Sequence, residues 1–537
     1  MAATGLQPKS AAGERESLAD LLPVILDRRN RASTIFPIFV RADTDCCLSF
    51  LSYWAWKHGT RVIIQLTLRR SDGFELGVRS FPVSDVRAHD LDIGAIFEID
   101  SFGLPEGFSA ALEVEVFSER APLYTYPAMT LFYRSKNGLS AVHSCARTYN
   151  AGEKVADYAI GVPQTGFDVV FAEETANYVA FPLGHAGRYN LTLHLDRADG
   201  RVFTAALPPA QGGYGALNVI LIEELFDAEA TAPGLAKIRI AHDLRDVYPR
   251  FYCGQVSRDA VPTLTHSFFD TSDRILAELD VAEEAVTAQN RSSGDLFDGA
   301  FAIPLIDPAD YRTELVSYGS NKSFDGEIVV RLYGPEGRLL ASRTMASRRG
   351  GDGRHAAPLQ GHQFLDVARL FDAELLEGGN AASVFFGFRT PDSSFPKRFK
   401  LGLNIRNKAS ALGTNICFAP HVLGPKTLEK PFNRRWMPVG GPQAILAWFS
   451  NTSLALAPDT ADRTVRITVI DAAGERLGRE VALRPNGWLA LDPRKDAELA
   501  DFLGGETGWA TIEAQSYMSD AFYVSTAGTL IGGDHAF

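Results

Sequence analysis

The sequence is poor in sulfur, with five cysteines and five methionines in 537 residues. An odd cysteine set in which Cys46 and Cys47 are adjacent cannot be a disulfide framework, which uses even sets at spaced positions. Long apolar runs are missing as well. No stretch approaches the ~20 consecutive apolar residues of a membrane-crossing helix. Residues 1–30 have no signal-peptide layout, because their one apolar run, "LLPVIL" (Leu21 to Leu26), is short, broken by Pro23 and preceded by acids. A cytoplasmic location with free thiols and no membrane partner is the expectation. Positive charge is also in short supply: 53 Lys and Arg stand against 65 Asp and Glu, for a formal charge of −12. That balance argues against a nucleic-acid partner, since phosphate binding needs a basic face. The nearest basic stretch, "SRRGGDGRH" (Ser347 to His355), reads as a glycine-rich loop.

Familiar catalytic signatures are missing too. There is no G-x-S-x-G elbow. The glycine clusters "GGYG" (Gly212 to Gly215) and "GGDG" (Gly350 to Gly353) lack the lysine or helix that would let them cradle phosphate. Adjacent acids such as Glu173-Glu174 and Glu223-Glu224 read as solvated surface. No CxxC, HxH or HExxH spacing occurs, so no ligand pair is preset for a metal. On these grounds the sequence assigns no catalytic residue, no cofactor and no metal, and argues against an enzyme.

What is present is repetition. Four stretches run strand, glycine turn, strand: "VIIQLTLRRSDGFEL", "YNLTLHLDRADGRVF", "GEIVVRLYGPEGRLL" and "TVRITVIDAAGERL". Apolar and polar residues alternate on both sides of an acidic, glycine-containing turn, which is the β-hairpin signal. Gly73, Gly200, Gly337 and Gly474 would supply the positive φ such turns need. Upstream of each hairpin lies a more continuous apolar run: "LSFLSYWAWKHG", "NYVAFPLGHAG", "TELVSYGSNKS" and "AILAWFSNTS". Downstream, a strand end passes into a short helical turn and then into another strand. Each copy closes near a histidine: His143, His266, His421 and His535. The third copy is longer, and "RTMASRRGGDGRHAAPLQG" accounts for the excess as an insertion.

About six short strands per copy at intervals of roughly eight to twelve residues suit an antiparallel sandwich. The expected fold is therefore all-β, with about four tandem antiparallel β-sandwich units that are immunoglobulin-like in layering only. The boundaries read as an N-terminal extension (1–30), unit 1 (31–150), unit 2 (151–271), a linker helix (272–300), unit 3 (301–425) and unit 4 (426–537). The helix is "SDRILAELDVAEEAVTAQN" (Ser272 to Asn290), capped at Ser272 or Asp273. A weaker linker, Ala151 to Ala176, separates units 1 and 2.

Three groups of residues are candidates for function. The terminal histidines could ligate a metal, with Cys145 near His143 and Cys417 near His421, but a single site would require separate units to converge. The simpler reading is that each histidine closes a strand and bonds a nearby carbonyl. In "SYWAWKHG", read as a strand, Trp54, Trp56 and His58 share one face and could stack on a sugar or a cation; core filling is the simpler reading. In "KPFNRRWMPVGG", Arg434 and Arg435 would be solvated on an interdomain linker, with Trp436 tucked against unit 4. These features point to a non-catalytic binding or assembly protein that presents loops and unit junctions to a protein or glycan, with self-association possible. The alternative is an enzyme or metal-binding protein with a pocket between units that uses the repeat-end histidines.

Overall fold

The computed structural model describes residues 30–537, apart from 121, 123, 151–152, 154–161, 166–167, 198, 258–260, 270–296, 318–324, 350–354, 357–363, 373–374, 377–380, 392–398, 411, 423–432, 453–462 and 515–519. Alternating and continuous apolar runs both form strands, and almost all of them pair antiparallel. Unit 1 has eight: β1 (Arg31–Val40), β2 (Asp45–Leu51), β3 (Val62–Arg70), β4 (Glu75–Val83), β5 (Ala88–Asp92), β6 (Gly107–Ser118), β7 (Thr130–Ser135) and β8 (Gly138–His143). They form two sheets, ordered β1-β6-β3-β4 and β5-β2-β7-β8.

The same order recurs three times. In unit 2 the outer sheet runs Asp168–Phe171, Gly234–His242, Leu191–Arg197, Val202–Ala206, and the inner sheet Leu217–Leu221, Thr175–Pro182, Tyr252–Ser257, Thr265–His266. Units 3 and 4 repeat both paths, and in unit 4 the Gly440–Ile445 pairing joins the two sheets into one. Tandem all-β sandwich units are thus the architecture, with eight strands per unit where the sequence suggested six. The two additional strands are short or continuous with apolar runs, so alternation alone does not separate them. The likeness to immunoglobulin domains is one of two packed antiparallel layers; the strand order is different.

All four hairpin glycines adopt positive φ: 92° at Gly73, 86° at Gly200, 73° at Gly337 and 88° at Gly474. Three of these turns also join units. The first residue of the fifth strand in one unit donates its N–H to a turn carbonyl of a neighbour. Leu217 donates to Ser71, Ala88 to Asp471 and Trp488 to Pro335, each at 2.9 Å.

The inner sheets are buried on both faces, which explains their continuous apolar runs. In unit 1, Cys46, Leu48, Leu131 and Tyr133 face that unit's own core, while Cys47, Phe132, Leu139 and Ala141 enter the core of unit 4. Unit 4 in turn sends Leu446, Trp448, Phe522 and Val524 into the core of unit 3. Tyr178, Ala180 and Tyr252 of unit 2 lie in the core of unit 1. Val316 and Cys417 of unit 3 pack on Phe268 of unit 2. The circuit therefore closes, each inner sheet serving as the lid of the next unit.

Several local expectations need correction. "SYWAWKHG" is not a strand: Tyr53–His58 is a short helix, closed by Gly59 at φ 58°. Ala151 to Ala176 is not simply a linker, since it holds Gln164–Thr165 and Asp168–Phe171, both paired in the unit 2 sheet. "KPFNRRWMPVGG" is not a linker in its ordered part, because Asn433–Gly440 is the first strand of unit 4 and pairs with Thr507–Ala514. The "SRRGGDGRH" stretch begins as strand, Leu339–Arg349, and His355–Ala356 pairs back onto Arg348 and Arg349. The linker helix falls on 272–300, of which residues up to 296 lie outside the described residues.

The turn contacts predict a difference between two equivalent glycines. Ala at either Gly200 or Gly337 meets the left-handed backbone cost of about 1–2 kcal/mol. A Cβ at Gly337 would also sit 2.4 Å from the Pro485 carbonyl oxygen, whereas at Gly200 it would meet nothing within 4 Å. Chemical denaturation should find Gly337→Ala more destabilising than Gly200→Ala by a further ~1–3 kcal/mol. Equal losses would show that the turn does not carry the joint between units 3 and 4.

Candidate functional site

The eighth strands meet at the centre of the circuit. β8, Thr265–His266, Thr414–Phe418 and Gly533–His535 each touch the next. Close approach there depends on glycine. Gly138 and Leu530 form a parallel bridge, and the Leu139 N–H reaches the Leu530 carbonyl at 3.3 Å. A Cβ at Gly138 would fall 2.2 Å from the Leu530 oxygen, and one at Gly532 would fall 2.4 Å from the Leu139 oxygen. The "GLS" and "IGGDH" segments therefore let two backbones touch, and they bring the ends of their strands together.

Those ends carry histidines. His143, His266 and His535 come from units 1, 2 and 4, and one ligand atom from each lies within 4.8 Å of the others. Ring centroids are 4.6 Å apart for His143 and His266, and 4.5 Å for His143 and His535, both edge-on. The equivalence is one of register. His143 lies opposite Thr130, His266 opposite Tyr252 and His535 opposite Phe522, the first or near-first residue of each seventh strand. In unit 3 the matching place, opposite Leu401, holds Phe418.

Each of the three rings is held by its Nδ1. His143 Nδ1 is 2.6 Å from Asp534 Oδ2, and the His143 backbone N–H donates to the same oxygen at 3.0 Å. His266 Nδ1 donates to the Ser267 carbonyl and His535 Nδ1 to the Ala536 carbonyl, both at 2.9 Å. A carbonyl or ionised carboxylate oxygen can only accept, so the proton is on Nδ1 in all three. Nε2 is then the ring nitrogen that takes no part in these contacts. Burial pushes His266 well below the usual histidine range, and His143 nearby adds to the effect. Burial and His143 likewise push His535 down to about 4. Burial alone would raise Asp534, but the surrounding imidazoles, His143 foremost, outweigh it and hold the carboxyl below its ordinary range.

His421 does not join this cluster. It sits on His421–Val422, and its Nε2 lies 2.9 Å from Asp520 Oδ1. Asp520 Oδ2 accepts from the Ala302 N–H at 2.8 Å and from the Thr452 hydroxyl at 2.6 Å, so this carboxylate ties unit 3 to unit 4. Sequence reasoning did not find Asp534 or Asp520. The one available signal was the Asp that directly precedes His535.

The two aromatic candidates come together at the joint between units 1 and 4. Trp436 stacks on Tyr53 at 5.3 Å and meets Trp56 edge-on at 5.9 Å. Lys57 lies 4.9 Å over the Trp436 ring, and the Arg434 guanidinium 6.0 Å over that of Trp56. Arg434 also pairs with Glu513 at 2.8 Å. Trp54 and Trp436 are buried, Trp56 is half-buried and His58 is exposed. Arg435 is half-buried rather than solvated, and burial lowers its pKa. The aromatic faces already hold cations from this chain, so the cluster works as an inter-unit joint.

No family model matches the chain, and no curated protein matches it. Among solved structures, the chain is similar to a tetra-tandem repeat in the extending region of a large adhesion protein. That match covers 88% of this chain and 90% of the other, with 9% identity and a TM-score of 0.10. A second, Escherichia coli alpha-2-macroglobulin activated by porcine elastase, covers 94% of this chain and 43% of the other, with 9% identity and a TM-score of 0.11. At these scores neither match bears on function.

Contact between the histidines predicts coupled energetics, where separate strand-closing residues would be additive. Removing the His143 ring takes one side-chain partner from buried Asp534, a loss of about 1–3 kcal/mol. In a double-mutant cycle, His143→Ala and His266→Ala should show a coupling of ~0.5–3 kcal/mol, as expected for touching residues. His143→Ala combined with substitution of the half-buried His194, which lies outside the cluster, should add within about 0.5 kcal/mol. Denaturation midpoints of the single and double variants measure both quantities.

Proposed function

We propose that the protein is a non-catalytic binding or assembly protein whose four sandwich units form a rigid scaffold for a polypeptide partner. The observation that supports this reading best is a cleft of about 880 Å³ at the junction of units 1 and 2. Phe39 and Phe108 line it from unit 1, and Leu207, Pro209, Ile220 and Leu225 from unit 2. Apolar walls with few hydrogen-bonding groups suit protein side chains better than a glycan, whose hydroxyls need several placed polar partners. Exposed large apolar side chains also stand at three of the third-to-fourth-strand hairpins, as others do at Phe102, Tyr124 and Leu375. Phe74 is 63% exposed, Val202 50% and Leu339 50%. Those hairpins end in outer-sheet edges, where an added strand could pair.

A second reading, an enzyme or metal protein using the repeat-end histidines, is favoured by the convergence of His143, His266 and His535. It concerns a different part of the molecule, and a metal held there is compatible with partner binding at the cleft between units 1 and 2.

Peptide-display selection and a glycan array, run in parallel on the purified chain, test the first reading. The expected result is saturable binding of apolar peptides without chemical change in them. Leu207→Glu should weaken that binding at least about tenfold, or 1.4 kcal/mol, while leaving the melting temperature close to that of the parent. Binding indifferent to Leu207→Glu, selective binding of glycans alone, or turnover of a bound probe would overturn it.

A further inference from the structure

We infer that His143, His266 and His535 form a site for one divalent transition metal of the zinc class, with each of three units supplying one imidazole and the fourth position left open. This goes beyond the partner-binding reading and does not depend on the cleft between units 1 and 2.

Three observations carry the inference. The ligand atoms already lie within 4.8 Å of one another. Across a tetrahedral centre with bonds of about 2.0–2.1 Å, nitrogens stand roughly 3.3 Å apart, so closure needs at most about 1.5 Å of ring movement. Next, every Nδ1 is bonded to a carboxylate or carbonyl oxygen. Metal-bound histidines are held in this way: the outer partner fixes the ring and its tautomer and makes the inner nitrogen more basic. Finally, among the described residues nothing donates to the three Nε2 atoms. With Nδ1 engaged in each ring, Nε2 is the nitrogen that a metal would bind.

The donor set selects the metal class. Imidazole suits zinc, copper, iron and nickel, whereas soft Cu(I) and iron–sulfur clusters prefer thiolate. No cysteine belongs to the cluster. Asp534, bonded to His143, supplies one negative charge toward a dication without occupying a coordination position. The open position follows from the repeat itself, because unit 3 puts Phe418 at the place where the others put histidine. Three histidines with one free position is the arrangement of metal sites that also hold a water or a small ligand.

The full-length chain, stripped with chelator and dialysed, should take up one equivalent of Co2+ and develop the intense visible d–d bands of a four-coordinate site. Zn2+ should displace the cobalt and bleach them, and should raise the melting temperature by mass action. X-ray absorption of the zinc-loaded parent should show three imidazole nitrogens at about 2.0–2.1 Å. Asp534→Asn should weaken cobalt binding about 10–100-fold through the outer contact, and His266→Ala should weaken it further. His421→Ala, whose ring bonds Asp520 instead, should titrate like the parent. A folded parent that takes up neither metal, a cobalt spectrum of the six-coordinate aqua ion, or fewer than three imidazoles by X-ray absorption would each overturn the site. The spectroscopic results need no variant, so a misfolded His266→Ala leaves the test intact. Peptide binding at the cleft is unaffected by any of these outcomes.

Discussion

Everything in this structure depends on burying both faces of the inner sheets. A sheet with one apolar face closes a sandwich by itself; a sheet with two must find a second core. Burying a Leu, Phe or Val side chain is worth roughly 1.5–3 kcal/mol relative to leaving it exposed. Cys47, Phe132, Leu139 and Ala141 represent that stake for unit 1 alone, and unit 4 supplies their cover. Because every unit both gives and receives such a face, no unit is complete without a neighbour. The polar joints then specify which neighbour and in what register: Trp509 Nε1 on Ser49 at 3.0 Å, Trp488 Nε1 on the Tyr333 carbonyl at 3.1 Å, and Asn404 and Asn415 on Asp168 at 2.9 Å. Asp168 is pushed up to about 6 by burial, and Lys237 is pushed down to about 8 by the same cause. Ionic groups are thus desolvated at the joint between units 2 and 3, where few apolar side chains are available to fill the contact.

The repeat was legible because turns leave residue-level marks. Gly73, Gly200, Gly337 and Gly474 stand out in the sequence for a backbone reason, a positive φ that other residues resist. The continuous apolar runs beside "SYWAWKHG" and "AILAWFS" also carried information, since half-buried strands alternate and strands covered on both faces do not. The Tyr53–His58 helix was hidden for the opposite reason. Six residues are too few to display a helical period, and two tryptophans with a tyrosine favour strands by propensity.

Convergence of the histidines was not legible. Backbone contact at Gly138 and Gly532 brings His143 and His535 together, and contact of Thr265–His266 with β8 adds His266; the sequence presents these only as ordinary glycines and a short strand. The fourfold recurrence of histidine marked equivalent places in the units, but equivalence says nothing about distance. His421 shows the limit of the pattern. It closes its unit in the same order of features, yet it lies beyond Phe418 on another strand, bonded to Asp520.

Carrying four copies on one chain frees the central positions from one another. A ring of four identical subunits must place the same side chain four times around its axis, so any change there is made fourfold at once. Here the matching positions read His143, His266, Phe418 and His535. A three-to-one arrangement of this kind is closed to a symmetric assembly and open to a tandem gene. The centre of the molecule can accordingly be altered one residue at a time, while the sheets that enclose it keep their common plan.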